Sequence, residues 1–477
     1  MSKMFKSLKI LSLSALLATS LSGLSSCMSP LQPGMAQQQS DFGGIKDQPA
    51  VPDEFLIKRK GVAYLQSPQE FAQANGILFI REIEALGVEL FKVSDPAKLE
   101  ALKDQFEYAE PNYLRHLSLP PQSGVAEQSV LRKQDAEAGA SLPAGNNYIG
   151  IIDTGVDTSH ADLKGKLIAG HNTLGREDVN DDNGHGTYLA GIAVGSNASQ
   201  QLSGVLPGGK ILPIKALDAN GIGTDFSIAE GIIKAIEYGA QVIVLSATGA
   251  NQSQALTAAI DFANKQNIPI VVPSGNTMDA ASVFPASSRS VISVASADVR
   301  GQSVTRFSRP GQNVTISAVA QGIRSTLPTH GFTLRSMGVS EGYGQIETPG
   351  AAAIQVAAAI AAIKSLNPGI RLPDIRNRLL ASAIDMGQPG MDASSGGGRL
   401  SIASVARNRA PVAAQAAPRP QPVGYGSYPQ QPATYPQPAY PQQAYGAYPQ
   451  TPTYYNQQAA YPQQPYGTPY TTQRRSY

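Results

Sequence analysis

Hydrophobic and polar residues divide the chain into segments of different character. Lys3, Lys6 and Lys9 precede an apolar run over 10–24, the arrangement of an export signal with its charged and apolar regions. Residues 27–50 are rich in Ser, Gln, Gly and Pro and read as a flexible tether. Over 51–117, the stretches 54–58 and 88–93 alternate as strands do, and 68–74 has helical character. Asp95-Pro96 opens a second helix, and 106–112 closes the unit. That strand–helix–strand–helix–strand order predicts a small α+β sandwich. A polar linker, 118–145, carries one short predicted helix at 131–138. Continuous apolar runs then end at Asp153, Ser246 and Asn276, separated by helical stretches over 227–238 and 256–266. Such runs are strands buried on both faces, so 146–408 is predicted to be α/β with a mainly parallel sheet. Near its end, Thr348-Pro349-Gly350 leads into an alanine-dominated stretch that Asn367-Pro368 stops. It predicts a helix with no polar face, which belongs in the middle of a domain.

Composition changes this picture at the two ends. From Ala410 onward Pro, Gln, Tyr, Ala and Gly dominate, Tyr-Pro-Gln recurs, and no acidic residue appears. A tail over 409–477 without apolar periodicity cannot build a core and is predicted to be disordered, its partner unknown. Lys and Arg total 37 against 35 Asp and Glu, a balance that gives no basis for nucleic-acid binding. The basic cluster Lys58-Arg59-Lys60 reads as a solvated strand end. One cysteine excludes an internal disulfide, and no metal set can be assembled around it. That residue ends Leu24-Ser25-Ser26-Cys27, which resembles the bacterial lipobox. The resemblance implies a lipoprotein signal over 1–26 and an acylated Cys27 as mature N-terminus. Acyl chains would then anchor an exported bacterial lipoprotein to an envelope membrane. Met28 in place of Asp after the cysteine favours the outer membrane in a Gram-negative cell.

Candidate chemistry lies at the segment ends. Asp153 closes a buried strand before a glycine turn, and His185 stands between glycines in Asn183-Gly184-His185-Gly186-Thr187-Tyr188-Leu189-Ala190-Gly191. An Asp that orients a His, which then takes a proton from a nucleophile, is the logic of a triad. The N-terminus of the alanine-rich helix is a place to stabilise an oxyanion. His160, His171 and His330 have no such context and read as surface or turn residues.

These motifs resemble those of the subtilisin-like serine proteases, the subtilases. The resemblance covers roughly 146–407 and implies a three-layer α/β fold with a mainly parallel sheet. It implies that Asp153 and His185 are two triad members, that Asn276 is the side-chain oxyanion donor, and that Ser246-Ala247-Thr248-Gly249 is the edge that pairs with substrate. Tyr343 and Gln355-Val356-Ala357-Ala358 fix the register of the nucleophile helix without a gap. Both anchors put Gly350 where the family has its catalytic Ser, with Thr348-Pro349 for Gly-Thr and Ile354-Gln355 for Pro-His. The unit 51–117, ending in Glu110-Pro111-Asn112, resembles the family's propeptide, a folding chaperone and inhibitor whose last strand lies in the substrate cleft. No cofactor is called for; the resemblance leaves a structural calcium open.

Two functional readings follow, and a third needs no cleft. In the first, the protein is a catalytically impaired pseudoprotease that binds peptide or protein in its cleft. Removal of the triad Ser costs about 10⁶-fold in turnover in subtilisin itself. In the second, it is an active serine endopeptidase with a displaced nucleophile. Ser340, in Gly338-Val339-Ser340-Glu341-Gly342, has the nucleophile-elbow pattern but precedes Tyr343 and the helix start. The third is an envelope scaffold acting through the tyrosine-rich tail.

Overall fold

The strand Tyr148–Asp153 is buried on both faces from Ile149 onward, as a parallel strand between two helical layers must be. In the computed structural model it lies in a nine-stranded sheet. The order across the sheet is Ala383–Ile384, Arg399–Leu400, Val314–Val319, Ile292–Ala297, Ile270–Pro273, Ala240–Leu245, Tyr148–Asp153, Lys210–Lys215 and His171–Asn172. Every neighbouring pair is parallel except the first. Lys210–Lys215 lies on one side of Tyr148–Asp153 and the next long strand, Ala240–Leu245, on the other. The winding therefore reverses at Tyr148–Asp153, which opens a crevice beyond its carboxyl end. The structure describes residues 50–117, 119, 120, 122, 133–197, 202–275 and 283–408, all in one compact unit. The signal-like segment, Cys27 and the tail lie outside the described residues.

Helices cover both faces. One core packs His185–Val194 and Gly350–Leu366 against the sheet, and a second packs Asp225–Glu237 and Gln254–Lys265 against the opposite face. This is the predicted three-layer α/β arrangement. Gly350–Leu366 is buried at every position from Gly350 to Lys364, and its alanines allow it to lie close against Ala240–Leu245, Ile270–Pro273 and Ile292–Ala297.

The first unit has four antiparallel strands, in the order Phe106–Leu117, Ala50–Arg59, Val88–Lys92 and Leu78–Ile83. Leu78–Ile83 is one strand more than the sequence predicts. It lies at the sheet edge, and its three successive apolar residues hide the period of two. One face of the sheet holds Ile57, Phe71, Phe91 and Phe106, with Phe71 edge-on to Phe91 and Phe106 at 6.0 and 6.2 Å. The other face places Leu56, Ile83, Val88 and Leu90 in the core shared with Asp225–Glu237 and Gln254–Lys265.

The reading of Lys58-Arg59-Lys60 as a solvated cluster is corrected at its centre. Arg59 is 3% exposed. Its Nε and Nη2 meet the two oxygens of Glu89 at 2.7 and 2.6 Å, and Nη1 donates to the carbonyls of Ala63 and Gln66. A guanidinium can be buried where carboxylate and carbonyl oxygens satisfy its fork. Lys60 is exposed, and Lys58 pairs at the surface with Glu107 at 3.1 Å.

Candidate active site

The carboxyl end of Tyr148–Asp153 and the start of helix His185–Val194 bring two side chains together in a fully buried place. Gly155 makes the turn after Asp153 at φ 106°, and a Cβ there would stand 2.4 Å from the Val179 carbonyl, so only glycine fits. Asp181 organises the helix start. Its carboxylate accepts from the N–H groups of Asn183, Gly184 and Thr187 and from the hydroxyls of Thr187 and Thr154. Asn183 Oδ1 accepts from His185 N–H at 3.2 Å. Every early donor of the helix is thus engaged, which fixes the direction of the His185 side chain.

His185 Nδ1 is 2.9 Å from both carboxylate oxygens of Asp153, and neither side chain is exposed. A carboxylate only accepts, so in a neutral imidazole Nδ1 carries the proton and Nε2 presents its lone pair. That lone pair faces Thr348 Oγ1 at 2.8 Å. Thr348 is 2% exposed, and its oxygen also accepts from Gly350 N–H at 3.2 Å. Gly350 begins helix Gly350–Leu366 directly beneath the ring. A Cβ on Gly350 would stand 3.0 Å from His185 Cε1, 3.1 Å from Nε2 and 3.3 Å from Ser246 Oγ. Leu117, His185, Ser246, Thr348 and Gly350 line a cavity of about 10 Å³ here, room for one water at most. Ser246 Oγ is buried and has no hydrogen-bond partner among the described residues.

The predicted site residues therefore divide. Asp153, His185 and Gly350 converge, and Ser246 borders them. Ala247–Thr248 pairs with Phe106–Leu117, whereas Gly249 exchanges both backbone bonds with Phe284, at 3.0 and 2.8 Å. Asn276 lies outside the described residues. Thr348 was missed as a site residue: in the sequence it stands only as the first member of a Thr-Pro-Gly break. His160 is 1% exposed, not a surface residue; its Nδ1 accepts from Asp162 N–H and its Nε2 lies 3.0 Å from the Gly342 carbonyl. Ser340 is exposed on the loop ahead of strand Tyr343–Gln345. Among the described residues no group of three His, Cys, Asp or Glu side chains is set to hold a metal, and no helix is long and apolar enough to cross a membrane.

The crevice is occupied by the chain itself. Leu114, Arg115 and His116 of Phe106–Leu117 pair with Thr224, Gly223 and Ile222 on one side. His116 and Leu117 pair with Thr248 and Ala247 on the other. Glu110 caps helix Gln254–Lys265 by accepting from Ser253 Oγ and from the N–H groups of Gln254 and Ala255. Asn112 Oδ1 accepts from Phe226 N–H, at the start of Asp225–Glu237. Arg115 is wholly buried and forks onto Asp225 at 2.6 and 2.8 Å. Beyond the strand, the Gln122 amide clasps the backbone of Glu347, accepting from its N–H at 2.7 Å and donating to its carbonyl at 3.1 Å.

A three-layer α/β fold thus carries a buried Asp–His pair at the carboxyl ends of parallel strands, flanked by two strand edges that hold the chain's own extended segment, a framework of hydrolases. Residues 145–398 match the model of the subtilase family, and the chain belongs to that family. It is 35% identical over 240 residues to a thermophilic serine proteinase of Bacillus sp. (strain AK1), covering 48% of this chain and 59% of that one. It is 34% identical over 220 residues to thermitase of Thermoactinomyces vulgaris, covering 44% of this chain and 78% of the relative. Among solved structures, fervidolysin from Fervidobacterium pennivorans superposes with a TM-score of 0.65 at 24% identity, over 76% of this chain and 62% of that one; this likeness concerns the fold.

Proposed function

We propose that this protein is a catalytically impaired subtilase, an exported envelope lipoprotein whose cleft binds extended peptide without turning it over at a protease's rate. One observation carries the reading: the helix residue beneath His185 is Gly350, with no hydroxyl, while the strand edges that grip a peptide backbone are formed and in use. Subtilase register gives Gly350 the nucleophile's position, Asp153 and His185 the orienter and base, and Asn276 the oxyanion donor. Loss of the Ser of such a triad costs about 10⁶-fold in subtilisin, leaving roughly 10³–10⁴-fold over water. Main-chain pairing with an added strand depends only on backbone groups and survives that loss. Residues 51–117 are read as a propeptide-like domain that stays in place, because the serine that would release it is gone. The acyl anchor at Cys27, the envelope location and a tail partner belong to this reading as well.

The test uses full-length protein with Arg115→Ala, which weakens the resident strand. Fluorescence anisotropy should detect binding of a labelled Tyr-Leu-Arg-His-Leu peptide, lost on adding Thr248→Pro, with no amide hydrolysis. An opened chain that binds no peptide, or His185-dependent amide turnover by the wild type, would refute the reading.

A further inference from the structure

We infer that Thr348 is a relocated nucleophile, and that Asp153, His185 and Thr348 form a hydroxyl triad able to react with activated acyl and phosphonyl groups. The inference goes beyond the peptide-binding reading and does not depend on it. Its first ground is directional. Nδ1 is committed to the Asp153 carboxylate, so in the neutral imidazole Nε2 accepts, and among the described residues the group on it is Thr348 Oγ1 at 2.8 Å. The hydroxyl proton already points at the base, while Gly350 N–H donates to the same oxygen from the other side at 3.2 Å. A base on the proton and a donor on the oxygen are the two contacts that favour a developing alkoxide.

The second ground is independent of the first. Thr348 and His185 share the 10 Å³ cavity with Ser246, whose hydroxyl is buried and has no hydrogen-bond partner among the described residues. Such a hydroxyl is available to donate to a polar atom that enters the cavity. An oxyanion formed at Thr348 would find that O–H in the same cavity. Leu117, at the end of the resident strand, lines the same cavity, together with Thr248, Pro273, Gly275 and Pro349.

The chemistry balances without any added group. With a phosphonofluoridate, Oγ1 forms the O–P bond, the P–F bond breaks and fluoride leaves. The Oγ1 proton passes to His185 Nε2, and Asp153 holds the resulting imidazolium. With an activated ester, Oγ1 bonds the carbonyl carbon, and His185 returns the proton to the departing oxygen. Water activated by His185 then hydrolyses the acyl-threonine. Amides are a harder substrate: a secondary alcohol attacks a less reactive carbonyl, and the Gly350 N–H is already engaged by Oγ1. The triad is therefore compatible with a chain that does not digest peptides.

The experiment treats the full-length protein with a biotinylated alkyl fluorophosphonate and maps the adduct by peptide mass. Leu117→Gly is included to widen the cavity. The expected result is an adduct on Thr348 that forms about 10²–10⁴-fold slower in His185→Ala, the usual worth of a general base, and is absent in Thr348→Val. Thr348→Ser, a less hindered hydroxyl in the same place, should react faster than wild type; a purely structural hydroxyl would show no such gain. An adduct that maps elsewhere, or a rate indifferent to His185, overturns the proposal. So does the absence of any adduct at position 348 in wild type, in Leu117→Gly and in the double variant Leu117→Gly/Thr348→Ser.

Discussion

At the scale of single residues, Gly350 and Thr348 have to be considered together. A serine placed at 350 alone should not suffice, because a Cβ at Gly350 comes within 3.1 Å of His185 Nε2 and that nitrogen is already held by Thr348. Gly350→Ser is expected to lower stability by about 1–3 kcal/mol through overpacking, read from a denaturant midpoint, and to show no amidase activity. The combination Thr348→Gly, Pro349→Thr, Gly350→Ser clears Nε2 and relaxes the turn. It should acquire phosphonate labelling at position 350 that His185→Ala abolishes. Asp157 gives a separate prediction. Burial pushes its carboxyl up, but the hydroxyl and N–H groups of Ser159 and Thr329 outweigh this and hold it at about 2. An acid with a folded value below its unfolded one stabilises the fold above the unfolded value, and the gain is lost as pH falls through the folded value. The stability difference between wild type and Asp157→Asn should therefore be constant above about pH 5 and shrink away between about pH 4 and 2, as followed by acid titration of the unfolding midpoint.

At the scale of elements, Phe106–Leu117 has two kinds of partner, and its polar residues are the reason. Glu110 satisfies three donors at the start of Gln254–Lys265, and Asn112 one at the start of Asp225–Glu237. Helix N-caps are worth about 0.5–2 kcal/mol each. Glu110→Ala should cost about 1–3 kcal/mol because it leaves buried donors unmatched, while Glu107→Ala, at the half-exposed Lys58 pair, should cost under about 1 kcal/mol. Urea midpoints of the two variants make the comparison. Much at this scale is legible in the sequence. Continuous apolar runs give the buried strands, the alanine-rich stretch gives the central helix, and the Asp153 and His185 motifs give two corners of the site. What the sequence hides are relations between distant residues: that Arg59 meets Glu89, that Arg115 meets Asp225, and that Thr348 reaches His185. Each depends on a side chain crossing from one element to another, and neither periodicity nor local spacing records that.

At the scale of the whole molecule, the cleft and the strand that fills it belong to one chain. Purified without other proteases, the protein is expected to run as a single polypeptide by intact mass, with 51–117 uncut; fragments ending within 116–124 would contradict the proposed loss of peptidase activity. Hydrogen exchange should show the amides of 114–117, held between Ile222–Thr224 and Ala247–Thr248, protected like those of Ala240–Leu245, which is paired on two sides. The covalent link also sets the terms on which any outside peptide competes. A segment joined to its own binding site acts at an effective concentration on the order of millimolar. A free ligand of equal intrinsic affinity would thus need millimolar levels to occupy half of the clefts. The partners able to win are those that are themselves concentrated: many copies held on one surface, or a segment presented by a protein already bound elsewhere on this one.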